Sequence, residues 1–233
     1  RRASSWAFTQ GRMRGMAAHF DALAATFTGE FVAAAEAQGT VDFVRELACK
    51  LPLAATGQII GLAPDDWRQI LVWSQAILGE VEPRHMRTGE TMAEAAERNM
   101  NDFRAYLEDL IHRHRQPGGG PSSFINRLVN AKVGGRSMND QQLNGYLFLL
   151  IGAGNDTTRN AVAGGVAALV SHPDQMRKLC EDPSLLDGAA DEILRWTSPV
   201  ISFLRTATDD YTLSGTTIRK GETVGVFYPS ANR

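Results

Sequence analysis

From Arg14 to Gln38, apolar side chains recur at three- and four-residue steps: Met16, Phe20, Leu23, Phe27, Phe31 and Ala34. The pattern stops at Gly39, so it predicts a helix with one apolar stripe and a glycine C-terminal signal. Thr40 to Asp42 is short enough for a strand, and Phe43 to Gly61 reads as a helix bent at Pro52 and Gly57. Pro64 to Gly79 opens with Pro and then Asp65 and Asp66, residues favoured in a first helical turn. Glu90 to His114 is long and amphipathic, Gln116 to Pro121 is a Gly/Pro loop, and Ser123 to Lys132 is a short helix closed by Gly134-Gly135.

The next segment is the longest. Ser137 and Asp140 have capping-box spacing, and helical periodicity then persists to about Ser171, roughly 50 Å at 1.5 Å per residue. Such a helix is expected to be a buried central spine. Pro173 starts a short helix, and Ser184-x-x-Asp187 caps another that ends before Ser198-Pro199. Beyond Pro199 the period falls to two, predicting strands at Phe203–Ala207, Tyr211–Leu213, Thr216–Ile218 and Thr223–Tyr228, with no closing helix. The chain is therefore expected to be mainly α, with a long central helix and a small C-terminal β region.

Composition narrows the classes. A hydrophobic content of 43% and a charged content of 21% exclude disorder, collagen and coiled coil. The 24 basic and 26 acidic residues give a net charge of −2, which offers no electrostatic footprint for nucleic acid or an anionic membrane. The longest apolar run, Tyr146–Ile151, is far below the ~20 residues that span a bilayer, and no signal-peptide pattern opens the chain. Cys49 and Cys180 have no metal-ligand spacing, so no metal site is expected and both read as reduced thiols. A soluble, cytoplasmic protein is expected. Both ends look cut, so residues 1–233 are read as one partial domain of a longer chain.

In the middle of the spine stands Gly152-Ala153-Gly154-Asn155-Asp156-Thr157-Thr158, all weak helix formers apart from Ala153. A weak patch inside an apolar helix marks a local break in the hydrogen-bond ladder near 153–157, of the kind found at functional sites. The chemistry on offer is a carboxylate beside a hydroxyl, with glycines that let a flat ligand approach. Either threonine hydroxyl can bond back one turn. Leu149, Ala153 and Thr157 share one face. A dinucleotide loop is excluded, because the third glycine and the preceding strand are missing.

Ala153-Gly154-Asn155-Asp156-Thr157-Thr158 resembles the oxygen-activation motif A-G-x-[DE]-T-T of cytochrome P-450 monooxygenases. Three further features follow the same family in order along the chain. Arg1-Arg2-x-x-Ser5-x-x-Phe8-Thr9 is similar to the tail of its H-T-R-L-R-R-x-x-S-x-x-F-T segment. Glu192-Ile193-Leu194-Arg195 resembles its E-x-x-R helix. Phe203-Leu204-Arg205-Thr206-Ala207, after Pro199-Val200-Ile201, resembles the strand whose arginine binds a haem propionate.

The resemblance implies a cytochrome P-450-like helical domain and, for the whole protein, a haem-dependent monooxygenase. Such an enzyme inserts one atom of O2 into an apolar organic substrate such as a steroid, terpenoid or alkyl chain. By resemblance, Asp156 and Thr157 are the acid–alcohol pair that delivers protons, and Ala153 and Gly154 lie against the haem face. Arg1 and Arg205 pair its propionates. Leu149, Val200, Ile201 and Phe203 line the substrate pocket, for which core packing is the competing reading. Glu192 and Arg195 form a structural network. Electrons come from NAD(P)H through ferredoxin and ferredoxin reductase.

The family's cysteine-bearing haem loop is not in this sequence, so the axial cysteine is expected beyond residue 233 and the chain alone is expected to be inactive. A non-catalytic remnant or binding scaffold with the same fold is the alternative. A hydrolase using Asp156 and His172 lacks a G-x-S-x-G nucleophile elbow.

Overall fold

The computed structural model describes residues 3–77, 81–115 and 124–233. The predicted Gly/Pro loop at 116–121, Arg1 and the last residues of the helix expected to Gly79 lie outside them. The described helices are α1 (Gln10–Gln38), α2 (Lys50–Ile60), α3 (Trp67–Ile77), α4 (Met92–Arg115), α5 (Phe124–Val129), α6 (Asp140–Ser171), α7 (Pro173–Glu181), α8 (Leu186–Thr197) and the short α9 (Tyr228–Asn232). Three antiparallel strand pairs accompany them: β1 (Lys132–Val133) with β2 (Arg136–Ser137), β3 (Ser202–Thr206) with β6 (Thr223–Phe227), and β4 (Tyr211–Leu213) with β5 (Thr216–Ile218). The mainly α architecture with a small C-terminal β region is as the periodicity predicts.

Several local expectations are corrected. Residues 40–42 form no strand. The helix expected over Phe43–Gly61 is interrupted ahead of its proline: Val44–Ala48 winds as a π-helical turn, and α2 starts after it. Pro52 therefore sits in the first turn of α2, where a missing N–H removes no intrahelical bond. Gly134 and Gly135, at φ 60° and 78°, close a β1–β2 hairpin rather than a helix. Only glycine enters that left-handed pair without strain. With Ser137 in β2, the capping box of α6 passes to Asn139 and Gln142: Gln142 N donates to Asn139 Oδ1 (2.8 Å) and Asn139 N to Gln142 Oε1 (3.1 Å). Likewise Asp182, not Ser184, accepts from the Ser184 N–H ahead of α8 (3.0 Å). A short closing helix, α9, follows β6 where none was expected.

The chain resolves into two compact units, residues 1–159 and 160–233, divided within α6. The first holds the hydrophobic core. Phe103, Leu107 and Ile111 of α4, Ile60 of α2, Ile70 of α3, Phe124, Ile125 and Leu128 of α5, and Leu143, Leu147 and Ile151 of α6 are all fully buried. Trp73 stacks on Phe103 with ring centroids 5.6 Å apart, and Phe148 also packs against Phe103 at 5.3 Å. Gly57 lets α2 and α3 approach so closely that a Cβ there would lie 2.5 Å from the Trp67 indole nitrogen.

The segment between α3 and α4 is fastened by one side chain. Arg98 of α4 donates to both oxygens of Glu90 (2.8 and 3.0 Å) and to the His85 carbonyl (3.0 Å). These bonds, with one from the Arg87 N–H, hold the Glu90 carboxyl down to about 2. A depressed carboxyl contributes stability that is present above its ordinary value and lost as pH falls through the folded value. Glu90→Gln should therefore flatten the loss of stability between pH about 4.5 and 2, as read by thermal melts across that range.

Candidate functional site on the central helix

Among the described residues α6 runs as one α-helix from Asp140 to Ser171, with no loop or second helix at 153–157. The weak formers are accommodated differently. Thr157 Oγ1 donates to the Ala153 carbonyl (2.7 Å) and Thr158 Oγ1 to the Gly154 carbonyl (3.0 Å), so each hydroxyl bonds within its own helix. Nor is the helix buried all round. Leu143, Leu147, Ile151 and Asn155 face the core, whereas Leu149 is 65% exposed, Ala153 is exposed and Thr157 is half-buried. At about 100° per residue, Leu149, Ala153 and Thr157 fall within one sector opposite the buried stripe.

The two glycines occupy the flanks between these faces. A Cβ on Gly152 would lie 3.0 Å from Ile77 Cδ1 of α3, and one on Gly154 would lie 3.0 Å from Thr56 Oγ1 of α2. The Cβ direction of Gly154 is thus turned toward α2, while Ala153 beside it lies on the open face. Asn155 is 1% exposed and donates from Nδ2 to Ser74 Oγ of α3 (3.1 Å). Asp156 forms an ion pair with Arg159, one turn along; their side chains retain 23% and 10% exposure. Ser74 carries no signal in the sequence, whereas Arg159-Asn160 directly follows Thr158 and belongs to the resemblance there. The Asp-x-x-Arg spacing was visible there, but burial gives the pair its weight.

The second unit carries the other expected residues, each described in its own setting. Arg205 on β3 is exposed, donates to the Leu204 carbonyl (2.9 Å) and lies over the Phe203 ring at 5.5 Å. Phe203 pairs edge-on with Tyr228 at 6.1 Å and is 52% exposed. Ile201 is also exposed and Val200 half-buried, so these positions are surface and strand residues of this unit rather than a packed core. Glu192 and Arg195 form a forked pair (2.6 and 2.7 Å) that holds the Glu192 carboxyl below its usual range. The pair is exposed, and Arg195 also donates to the Asn232 carbonyl, while Asn232 Nδ2 donates to Ser198 Oγ (2.8 Å). Arg195 thereby ties α9 to the end of α8.

The open sector of α6 presents the apolar Leu149 and Ala153 together with Thr157, and its middle residue is an alanine that projects nothing beyond a methyl. Cys49 is buried beside Arg159, and burial pushes its thiol up; Cys180 is exposed on α7. No cluster of three His, Cys, Asp or Glu side chains suited to a metal occurs among the described residues. No described helix is long and apolar enough to cross a membrane.

Residues 66–233 match the family model described as Cytochrome P450. The chain is 34% identical over 204 residues to a steroid C26-monooxygenase of Mycobacterium tuberculosis, covering 87% of this chain and 45% of that protein. It is 33% identical over 193 residues to linalool 8-monooxygenase of Pseudomonas putida, covering 83% of this chain and 46% of that protein. Among solved structures, it resembles a Mycobacterium marinum cytochrome P450 in complex with pseudoionone, with a TM-score of 0.86 and 31% identity over all of this chain and 55% of that one. The bacillaene-synthase cytochrome P450 of Bacillus subtilis matches with a TM-score of 0.82 at 28% identity, over all of this chain and 57% of that one. The chain spans about half the length of the curated relatives it matches.

The Asn155–Ser74 bond supplies the site's first test. Asn155→Ala removes the donor of a buried bond and should lower stability by about 1–3 kcal/mol, measured by chemical denaturation.

Proposed function

Because the chain belongs to the cytochrome P450 family, we propose that the whole protein is a haem-dependent monooxygenase that inserts one atom of O2 into an apolar organic substrate. The observation that carries this reading is the uncovered Leu149–Ala153–Thr157 sector of α6, with Asp156 beside it. Haem, when bound, supplies the redox chemistry of O2 cleavage. Ala153 is the residue we set against it, with Arg205 as a propionate partner; Arg1, outside the described residues, keeps that role on its motif alone. A thiolate for haem would come from outside these 233 residues, since Cys49 is buried beside Arg159 and Cys180 is a surface thiol of α7. The chain alone is then inactive.

The proton chemistry falls to two side chains. The Thr157 hydroxyl is anchored on the Ala153 carbonyl at 2.7 Å, so its oxygen is fixed in position and its lone pairs can accept from a water on the open side. Rotation about χ1 frees the same hydroxyl to donate. The Asp156 carboxylate takes up a proton from solvent and returns it through water toward Thr157 Oγ1, as general acid–base work requires.

Leu149, Val200, Ile201 and Phe203 are proposed as substrate contacts. An apolar pocket binds by burial, at ~25 cal/mol per Å2, and needs few polar anchors. A steroid, terpenoid or alkyl chain fits that chemistry, and the relatives' names indicate a steroid and linalool as their substrates. NAD(P)H, ferredoxin and ferredoxin reductase are the proposed electron supply, and the cytoplasm the proposed location.

Thr157→Val in the haem-loaded full-length protein tests the reading. The change keeps volume and branching and removes one hydroxyl whose partner lies in its own helix, so folding should be little affected. NAD(P)H oxidation should continue while hydrogen peroxide accumulates in solution and hydroxylated product falls, by up to the ~10²–10⁴-fold expected for a lost proton-transfer group. Unchanged product per NAD(P)H would remove Thr157 from proton delivery.

A further inference from the structure

The Asp156 carboxylate pairs with the Arg159 guanidinium. Arg159 is 8% exposed, and its pair with Asp156 is correspondingly shielded. Exposed pairs at this spacing contribute little, whereas removing one partner of a buried pair strands the other charge. The Arg159 guanidinium has a second neighbour in Cys49, on whose thiol its charge acts against the effect of burial. It also lines a cleft of about 650 Å3 together with Asp42, Cys49, Gln75, Glu82 and Arg84. Its lining mixes these polar and charged side chains with apolar ones such as Val44, Leu71 and Val81, and at many times the ~30 Å3 of one water it has room for several waters beside the charged groups.

Helical geometry relates the cleft to the open sector. At about 100° per residue, Thr157 and Asp156 lie about 40° and 60° to opposite sides of Ala153, and Arg159 about 60° beyond Asp156. Asp156 thus stands between the open sector and the side chain that lines the cleft. We infer that Arg159 is a positioning residue for proton delivery, fixing the Asp156 carboxylate between the water-holding cleft and Thr157. The inference rests on the reading of Asp156 and Thr157 as the proton-handling pair and adds the residue that aims the carboxylate. Arginine suits the task because it stays charged at any working pH and its planar fork fixes direction as well as charge; lysine supplies the charge without the fork.

The test uses the haem-loaded full-length protein with Asp156→Asn, Arg159→Gln, Arg159→Lys and the double Asp156→Asn/Arg159→Gln. Product per NAD(P)H is read alongside haem content. Arg159→Gln should cut product per NAD(P)H at least about tenfold in folded, haem-loaded protein, as loss of one proton-transfer step does. Arg159→Lys should recover part of that loss, and the double variant should be no worse than Asp156→Asn alone.

A second readout does not depend on turnover. Iodoacetamide labelling at pH 8, mapped to the Cys49 peptide, should slow in Arg159→Gln, because the cation that favours the thiolate is gone while Asp42 and Glu82 still face it. If Asp156→Asn leaves coupling intact, the underlying reading fails. If Asp156→Asn uncouples and Arg159→Gln does not, or if Cys49 labels at the original rate, the inference about Arg159 is overturned and the reading stands. Should Arg159→Gln not fold, Arg159→Lys decides: coupling below wild type supports the inference, and wild-type coupling overturns it. Loss of haem with unchanged product per NAD(P)H would make Arg159 structural only.

Discussion

One helix carries opposed requirements in this chain, and the first unit is arranged around them. α6 must bury Leu143, Leu147 and Ile151 in the core, yet leave Leu149 and Ala153 uncovered on the opposite side. A single straight helix can do both only if its neighbours stop at the flanks. Gly152 and Gly154 set where they stop, since Ile77 and Thr56 come to 3.0 Å of where a Cβ would be. The flanking helices therefore sit close without reaching over Ala153. An apolar sector left uncovered on a helix that is otherwise well packed is a feature to be explained by what binds there.

Rotation of α6 about its own axis would undo this arrangement, and apolar packing alone resists rotation weakly because leucines and isoleucines interchange their contacts. The buried Asn155–Ser74 bond is directional. It fixes the angle at which α6 meets α3, and through it the heading of every side chain in the motif. The Asp156–Arg159 pair works on the same flank with charge in place of an amide. Polar groups placed this deep cost more to misplace than to satisfy, which is how they specify one orientation.

The second unit is built on different terms. Apart from Ala161, Gly165 and Ser198, its described residues are exposed or half-buried, and its helices meet through close approaches such as Gly165 on Ile193 and Gly164 on Thr197. Here the polar connections carry the order: Glu192 orients Arg195, Arg195 reaches the Asn232 carbonyl, and Asn232 returns to Ser198, whose left-handed backbone (φ 42°) turns the chain out of α8. An exposed ion pair is a weak stabiliser. Its value in this unit is geometric, since it holds the guanidinium ready for a backbone carbonyl 37 positions away.

The sequence by itself determined the helices with strong period, the change to short strands after Pro199, and the A-G-N-D-T-T run with its E-x-x-R and arginine strand in order. Those depend on local spacing, which a chain displays before it folds. Whatever turns on a neighbour was decided only in three dimensions. The π-helical turn before Pro52, the hairpin at Gly134-Gly135 and the passing of two caps to Asn139 and Asp182 arose where several local solutions competed and packing selected one. The weak formers of α6 predicted a break, yet α6 runs on as one helix packed against α2 and α3, with two threonine hydroxyls bonded back to its own carbonyls. Gly154 turned out to serve α2, and Asp156 to be clasped by Arg159, because burial depends on what lies across the helix, and no one-dimensional pattern contains that.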